Sequence, residues 1–97
     1  MNKPLLPSIF TVDIDGKPTL SFRAQNLHEA NEISREQWFK LDLAEATSNG
    51  VPLWDGKALL RTRIASEDEI TLFMEAAKIA QTSEQLIFAY LVEIDGQ

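Results

Sequence analysis

The chain has 97 residues, 44% of them hydrophobic, which suffices for one folded domain and argues against disorder. It contains no cysteine, and this excludes disulfides and thiolate metal sites. Fifteen acidic residues against nine basic residues give a formal charge of −6. That balance argues against general attraction to nucleic acid or to anionic lipid.

The first seven residues carry one lysine and two leucines between prolines, and they lack the apolar core of a signal peptide. No run of the sequence reaches the roughly 18 apolar residues that a membrane span needs. We therefore expect a cytoplasmic protein that does not enter a membrane. A single domain is expected over residues 1–97, with residues 1–7 as a loosely ordered N-terminal segment.

Two segments of alternating apolar and polar residues flank Asp15-Gly16, and this pattern predicts a β-hairpin. A two-residue loop would place Val12 opposite Thr19, so that apolar residues of one strand would pair with polar residues of the other. A three-residue loop that begins at Ile14 pairs Phe10 with Leu20 instead. The pairing of apolar residues favours the three-residue loop.

The first helix is predicted over residues 27–46. Asn26 followed by Glu29 is a start signal of the capping-box type, and apolar residues then recur at helical spacing. A second start signal at residues 34–37 marks a point where this helix can break.

A third strand is predicted at residues 58–64, and the second helix begins after Ser66, which forms a capping box with Glu69. The apolar arc of this helix consists of Leu72, Phe73, Ala76, Ile79 and Ala80. Residues 86–92 are apolar on both faces and predict a final strand inside a sheet.

The order of elements predicts an α+β fold, a two-layer β-β-α-β-α-β sandwich. In this fold a four-stranded mixed sheet carries both helices on one face. Pro18 lacks a backbone N–H, and this moves the second strand towards a sheet edge.

No motif of a catalytic, metal or cofactor site is present, and we predict no cofactor. His28 is the sole histidine, and its place at a helix start favours a solvated residue over a catalytic one.

Two groups of residues are candidates for an interaction surface. If the final strand faces the helices with one side, Ile87 and Leu91 emerge on the other side and need cover. Leu53 and Trp54 lie in a loop, and they either fold over that strip as a lid or join it in a contact surface.

Arg61 and Arg63 alternate on the third strand, and Arg23 lies on the outer face of the second strand. They could form a basic stripe on the open sheet face, although ion pairs with Asp13 or Glu93 are the favoured use.

These observations favour a non-enzymatic protein-interaction or regulatory module, with a second copy of the chain as one candidate partner. The candidate surface consists of Trp54, Leu53, Ile87, Leu91, Arg61 and Arg63. One alternative is a nucleic-acid-binding regulatory protein that uses the sheet face. The other is a small-molecule binder or enzyme, with carboxylates and His28 in a cleft between a helix and a loop.

Overall fold

A computed structural model describes residues 8–80 and 88–95. They form a small α+β fold with a four-stranded antiparallel sheet and three helices. In chain order the elements are β1 (Ser8–Ile14), β2 (Lys17–Ala24), α1 (Leu27–Arg35), α2 (Gln37–Glu45), β3 (Thr47–Ser48), β4 (Val51–Pro52), β5 (Leu60–Ile64), α3 (Glu67–Ala80) and β6 (Phe88–Tyr90). None of the described helices has the length and apolar character to span a membrane.

The main sheet has the strand order β5-β1-β2-β6, and every neighbouring pair is antiparallel. The predicted four-stranded sheet is therefore present, but it is not mixed. β6 lies at an edge rather than inside the sheet, and β2 is a central strand. β2 accommodates Pro18 because this residue lies beside the turn, before the stretch Leu20–Phe22 that pairs with β6.

The β1–β2 hairpin has a two-residue loop, so the predicted three-residue loop is wrong. Asp15 and Gly16 have φ angles of 53° and 83°, as a type I′ turn requires. The register then shifts between Val12 and Asp13, and Val12 lies opposite Leu20. This bulge restores the apolar pairing that an uninterrupted two-residue hairpin would lose.

The first core lies between one face of the sheet and the helices α1 and α2. Its buried residues are Phe10, Val12, Ile14, Leu20, Phe22, Ala24, Ala30, Phe39 and Leu43. The ring of Phe22 lies 6.0 Å from that of Phe39 and 5.7 Å from that of Phe88. The expected break between the two helices falls at Glu36, whose backbone is extended.

The second core lies on the opposite face, under α3, and contains Ile9, Ala65, Phe73 and Ala89. The prediction of two layers with the helices on one face is therefore wrong, because α3 packs on the other side. The reason is visible in the strands, since Ile9 of β1 and Ala89 of β6 are apolar residues on that second face. The apolar side of the last strand obtains its cover from α3.

A small hairpin made by β3 and β4 is hydrogen-bonded to Asp95, near the end of the described chain. The Asp95 carboxylate accepts hydrogen bonds from the Thr47 hydroxyl at 2.8 Å and from the backbone N–H groups of Asn49 at 2.9 Å and Gly50 at 2.7 Å. These three bonds hold the pKa of Asp95 below its ordinary value. The C-terminal part of the described chain is thereby attached to the hairpin.

The packing of α3 predicts unequal effects of two neighbouring truncations. Phe73 is 1% exposed, and Phe73→Ala should lower the free energy of unfolding by about 3–5 kcal/mol through lost burial and a cavity. Leu72 is 49% exposed on the same helix, and Leu72→Ala should cost less than about 1 kcal/mol. Urea unfolding followed by circular dichroism measures both, and equal losses would contradict this placement of α3.

Candidate functional site

A partly buried ion-pair cluster attaches α3 to the sheet. The Arg63 guanidinium donates to Asp13 through Nε at 2.9 Å and Nη2 at 3.0 Å. It also donates to Glu69 through Nη1 at 2.9 Å and Nη2 at 3.0 Å. The predicted ion pair between Arg63 and Asp13 is present, and Glu69 of α3 joins it.

Two hydroxyl groups extend this cluster across the sheet. Thr11 donates to Glu69 at 2.8 Å, so the 2.8 Å bond between Thr11 and Ser21 has Ser21 as its donor. Glu69 also accepts from the backbone N–H of Ser66 at 2.9 Å, which completes the predicted capping box.

The charges of the cluster stabilise each other. Hydrogen bonds from Arg63 outweigh burial and lower the pKa of Glu69 to about 2. The pKa of Arg63 lies above its ordinary value because of its bonds to Glu69 and then to Asp13. In the described part of the chain, every buried polar side-chain atom has a hydrogen-bond partner. The cluster therefore holds α3 in place and offers no buried polar group to a ligand.

The sheet face proposed for nucleic acid is covered by α3. Arg63 is held in the cluster, and the Arg23 guanidinium lies 5.3 Å from the centroid of the Phe73 ring. Arg61 is exposed. The three arginines therefore do not form one open basic stripe on the sheet.

Leu53 and Trp54 fold back onto the first core, where both are half-buried. The Trp54 backbone N–H donates to Leu43 at 3.2 Å, and its indole Nε1 donates to the carbonyl oxygen of Ala58 at 2.9 Å. Leu53 and Trp54 thus fold back onto the protein, but the core that they cover lies on the side of α1 and α2 and is not the strip of Ile87 and Leu91 for which a lid was predicted.

Of the two residues of the predicted apolar strip, the structure describes Leu91 alone. Leu91 is half-buried, and its backbone N–H donates to Thr19 at 2.8 Å next to β6. Ile87 lies outside the described residues. The five described residues of the predicted surface are thus distributed over several parts of the fold.

One edge of the sheet is formed by β5, which pairs with β1 through its inner side. The backbone N–H of Ala65 donates to the carbonyl oxygen of Ile9 at 3.0 Å, and the carbonyl oxygen of Leu59 accepts from the backbone N–H of Asp15 at 2.9 Å. Residues 59 and 65 therefore direct their backbone groups towards β1 and the turn that follows it. Antiparallel pairing alternates this direction along the strand, and the register of β5 is regular. The backbone groups of residues 60, 62 and 64 therefore point away from the sheet.

Most of these outward groups have no hydrogen-bond partner among the described residues. The carbonyl oxygen of Ile64 accepts from Arg63 at 3.1 Å. The N–H groups of Leu60, Thr62 and Ile64 and the carbonyl oxygens of Leu60 and Thr62 donate or accept no hydrogen bond within residues 8–80 and 88–95. We call this row of backbone groups the β5 edge.

A cleft of about 350 Å³ lies beside the β5 edge, between α1, the start of α2 and the loop before β5. Its cationic lining residues are Arg35, Lys40 and Lys57, its polar ones are Asn31, Ser34 and Thr62, and its apolar ones are Trp54, Ala58, Leu59 and Leu60. We call it the basic cleft. Ser34 donates to Ala30 at 2.8 Å, so Thr62 donates in its 2.7 Å bond to Ser34, which joins β5 to α1.

The described residues that line the basic cleft include no carboxylate. Within the described part of the chain, no carboxylate lies within 4.0 Å of the charged groups of Arg35, Lys40 or Lys57. Asp55 lies in the neighbouring loop, where the backbone N–H groups of Lys57 and Ala58 each donate to it at 2.8 Å. These bonds lower the pKa of Asp55.

A second depression, of about 640 Å³, lies at the end of β5 and is predominantly apolar. It is lined by Ser8, Ile9, Arg23, Ile64, Ala65, Ile70 and Met74, and we call it the apolar groove. Ile64 belongs both to the β5 edge and to this groove, and its side chain is 66% exposed.

His28 lies on α1 with its side chain 83% exposed, and its Nε2 is 3.3 Å from Glu32. It does not line the basic cleft. The cleft between a helix and a loop thus exists, but it is lined by cations rather than by the expected carboxylates. Residues 8–80 and 88–95 contain no group of three His, Asp or Glu side chains that could hold a metal ion.

The sequence contains little signal for the basic cleft. Arg35, Lys40 and Lys57 belong to three different segments, and none of them forms part of a basic run. The break between α1 and α2 and the return of Trp54 bring them together. Neither a protein-family model, nor a curated protein, nor a solved structure matches this chain.

The depressed pKa of Glu69 predicts a loss of stability in acid. The carboxyl titrates near 4.5 when unfolded and near 2 when folded, so its contribution is complete above pH 4.5 and disappears as the pH falls to about 2. The difference corresponds to at most about 3 kcal/mol at neutral pH, because solvent around the partly exposed Arg63 screens the ion pair. Glu69→Gln should remove this part of the pH dependence, as measured by urea unfolding at several pH values.

Glu67→Gln is the matched control, because Glu67 is exposed in the first turn of the same helix. It should retain the pH dependence of the unmodified protein. An acid transition that is the same in all three proteins would show that the Glu69 ion pair does not contribute to it.

Proposed function

We propose that this protein is a non-enzymatic interaction module that binds an extended protein segment along the β5 edge. The observation that carries the proposal is the row of outward backbone groups at Leu60, Thr62 and Ile64. Such a row is a template for one more strand, and strand addition at a sheet edge is a common mode of peptide recognition.

The surroundings of β5 support this mode of binding. Main-chain hydrogen bonds supply affinity in strand addition, whereas pockets for alternate side chains supply specificity. The basic cleft borders the edge at Leu60 and Thr62, and the apolar groove borders it at Ile64. The other edge strand, β6, is three residues long in the described part of the chain.

A second copy of the chain is a less favourable partner at this edge. Antiparallel pairing of β5 with itself about a two-fold axis at Thr62 would place Leu60 of each copy opposite Ile64 of the other and keep both basic clefts on the same face of the joined sheet. Leu60 and Thr62 also line the basic cleft, so the two clefts would adjoin. Their cations would then repel each other.

Replacement of Thr62 tests the proposal. Its N–H points outward, and proline is tolerated in edge strands at such positions, so Thr62→Pro should fold but lose one donor to the added strand. Linear peptides selected from a random library against the unmodified protein are the probe. Their affinity should fall about tenfold or more in Thr62→Pro, as measured by calorimetry.

Thr62→Val is the matched control, since it also lacks the hydroxyl that bonds Ser34 but retains the backbone donor. In the unmodified protein, peptide binding should slow amide hydrogen exchange at Leu60, Thr62 and Ile64. Equal affinities of the proline and valine variants, or protection confined to another strand, would refute the proposal. A dimer in sedimentation velocity that Thr62→Pro dissociates would assign the edge to a second copy instead.

A further inference from the structure

We infer that the segment bound along β5 is acidic and that its carboxylates enter the basic cleft. This inference rests on the proposed function and adds the chemistry of the partner. The extended direction of the segment follows from the β5 edge, whereas its charge follows from the cleft beside that edge.

The charge of the cleft is opposite to that of the whole chain. The protein has a formal charge of −6, yet three of its nine Lys and Arg residues line this one depression. Because the described residues that line the cleft include no carboxylate, Arg35, Lys40 and Lys57 give its lining three positive charges, of which that of Lys57 is partly offset by the nearby Asp55. A ligand with several negative charges is complementary to it.

The geometry of strand addition directs the side chains of the ligand. The hydroxyl of Thr62 bonds Ser34 of α1, so this side chain lies on the face of the sheet that carries the cleft. Every second side chain of an added strand would lie on the same face, about 6–7 Å apart. Acidic residues at alternate positions would therefore extend along the cleft.

The opposite face of the added strand has a different environment. Arg61 is exposed on the side of α3, and the apolar groove at the end of β5 is lined on this side by Ile9 and Ala65 of the second core. Apolar residues between the acidic ones are compatible with this side. A peptide with alternating glutamate and valine is thus the simplest ligand that meets both requirements.

Two synthetic peptides of about eight residues test the inference. One alternates Glu and Val between terminal Thr residues, and the other has Gln in place of every Glu. In low salt the Glu peptide should bind about tenfold more tightly than the Gln peptide, and the ratio should fall towards one in high salt, where charges are screened.

Charge reversal identifies the cleft as the source of this preference. Lys57→Glu and Arg35→Glu should each weaken binding of the Glu peptide about tenfold and leave the Gln peptide unchanged. The matched control is Lys78→Glu, because Lys78 is an exposed residue of α3 that does not line the cleft. It should leave both affinities unchanged.

The outcomes separate this inference from the proposed function. If both peptides bind equally and Thr62→Pro weakens both, the strand-binding edge remains and the acidic preference is wrong. If Thr62→Pro weakens neither, strand addition is wrong as well. Tighter binding of a single-stranded thymidine oligonucleotide, lost in Lys57→Glu, would replace the acidic segment by a nucleic acid and overturn the inference.

Discussion

The two central strands are buried on both faces, and this constraint determines how the rest of the chain packs. Phe10 and Phe22 face the core under α1 and α2, whereas Thr11 and Ser21 face α3 and are equally buried. In a hairpin that is buried on both faces, the register must pair the correct side chains of the two strands on each face of the sheet. The bulge between Val12 and Asp13 provides it, since it combines a tight turn with correct apolar pairing.

The second face is partly polar, so its cover must satisfy hydrogen bonds as well as bury apolar area. α3 does both, with Phe73 in the apolar core and Glu69 in the ion-pair cluster. Unpaired charges would be costly in this interior, and the bonds that Arg63 makes to Asp13 and Glu69 remove that cost. Once helices cover both faces, the edges of the sheet remain for interaction. The proposed binding mode uses the edge formed by β5.

Recognition at this edge would combine a general and a specific component. The backbone groups of β5 can pair with any extended segment, because they do not depend on the side chains of the partner. The cations of the basic cleft would select among such segments by charge. Because these cations lie beside Thr62, the proposed selection and pairing would take place within one continuous site.

The amino-acid sequence by itself determined the local elements: the hairpin at Asp15-Gly16, the side-chain caps at Asn26 and Ser66, the break before α2 and the strands around Arg63 and Phe88. These depend on turn chemistry, capping and periodicity over a few residues. Only the tertiary structure decided the bulge, the strand order, the side of the sheet that α3 covers and the basic cleft. The physical reason is that each of these depends on contacts between segments that are distant in the sequence. The sequence of an apolar helix face, or of the residues around an isolated lysine, does not indicate which distant segment it will contact.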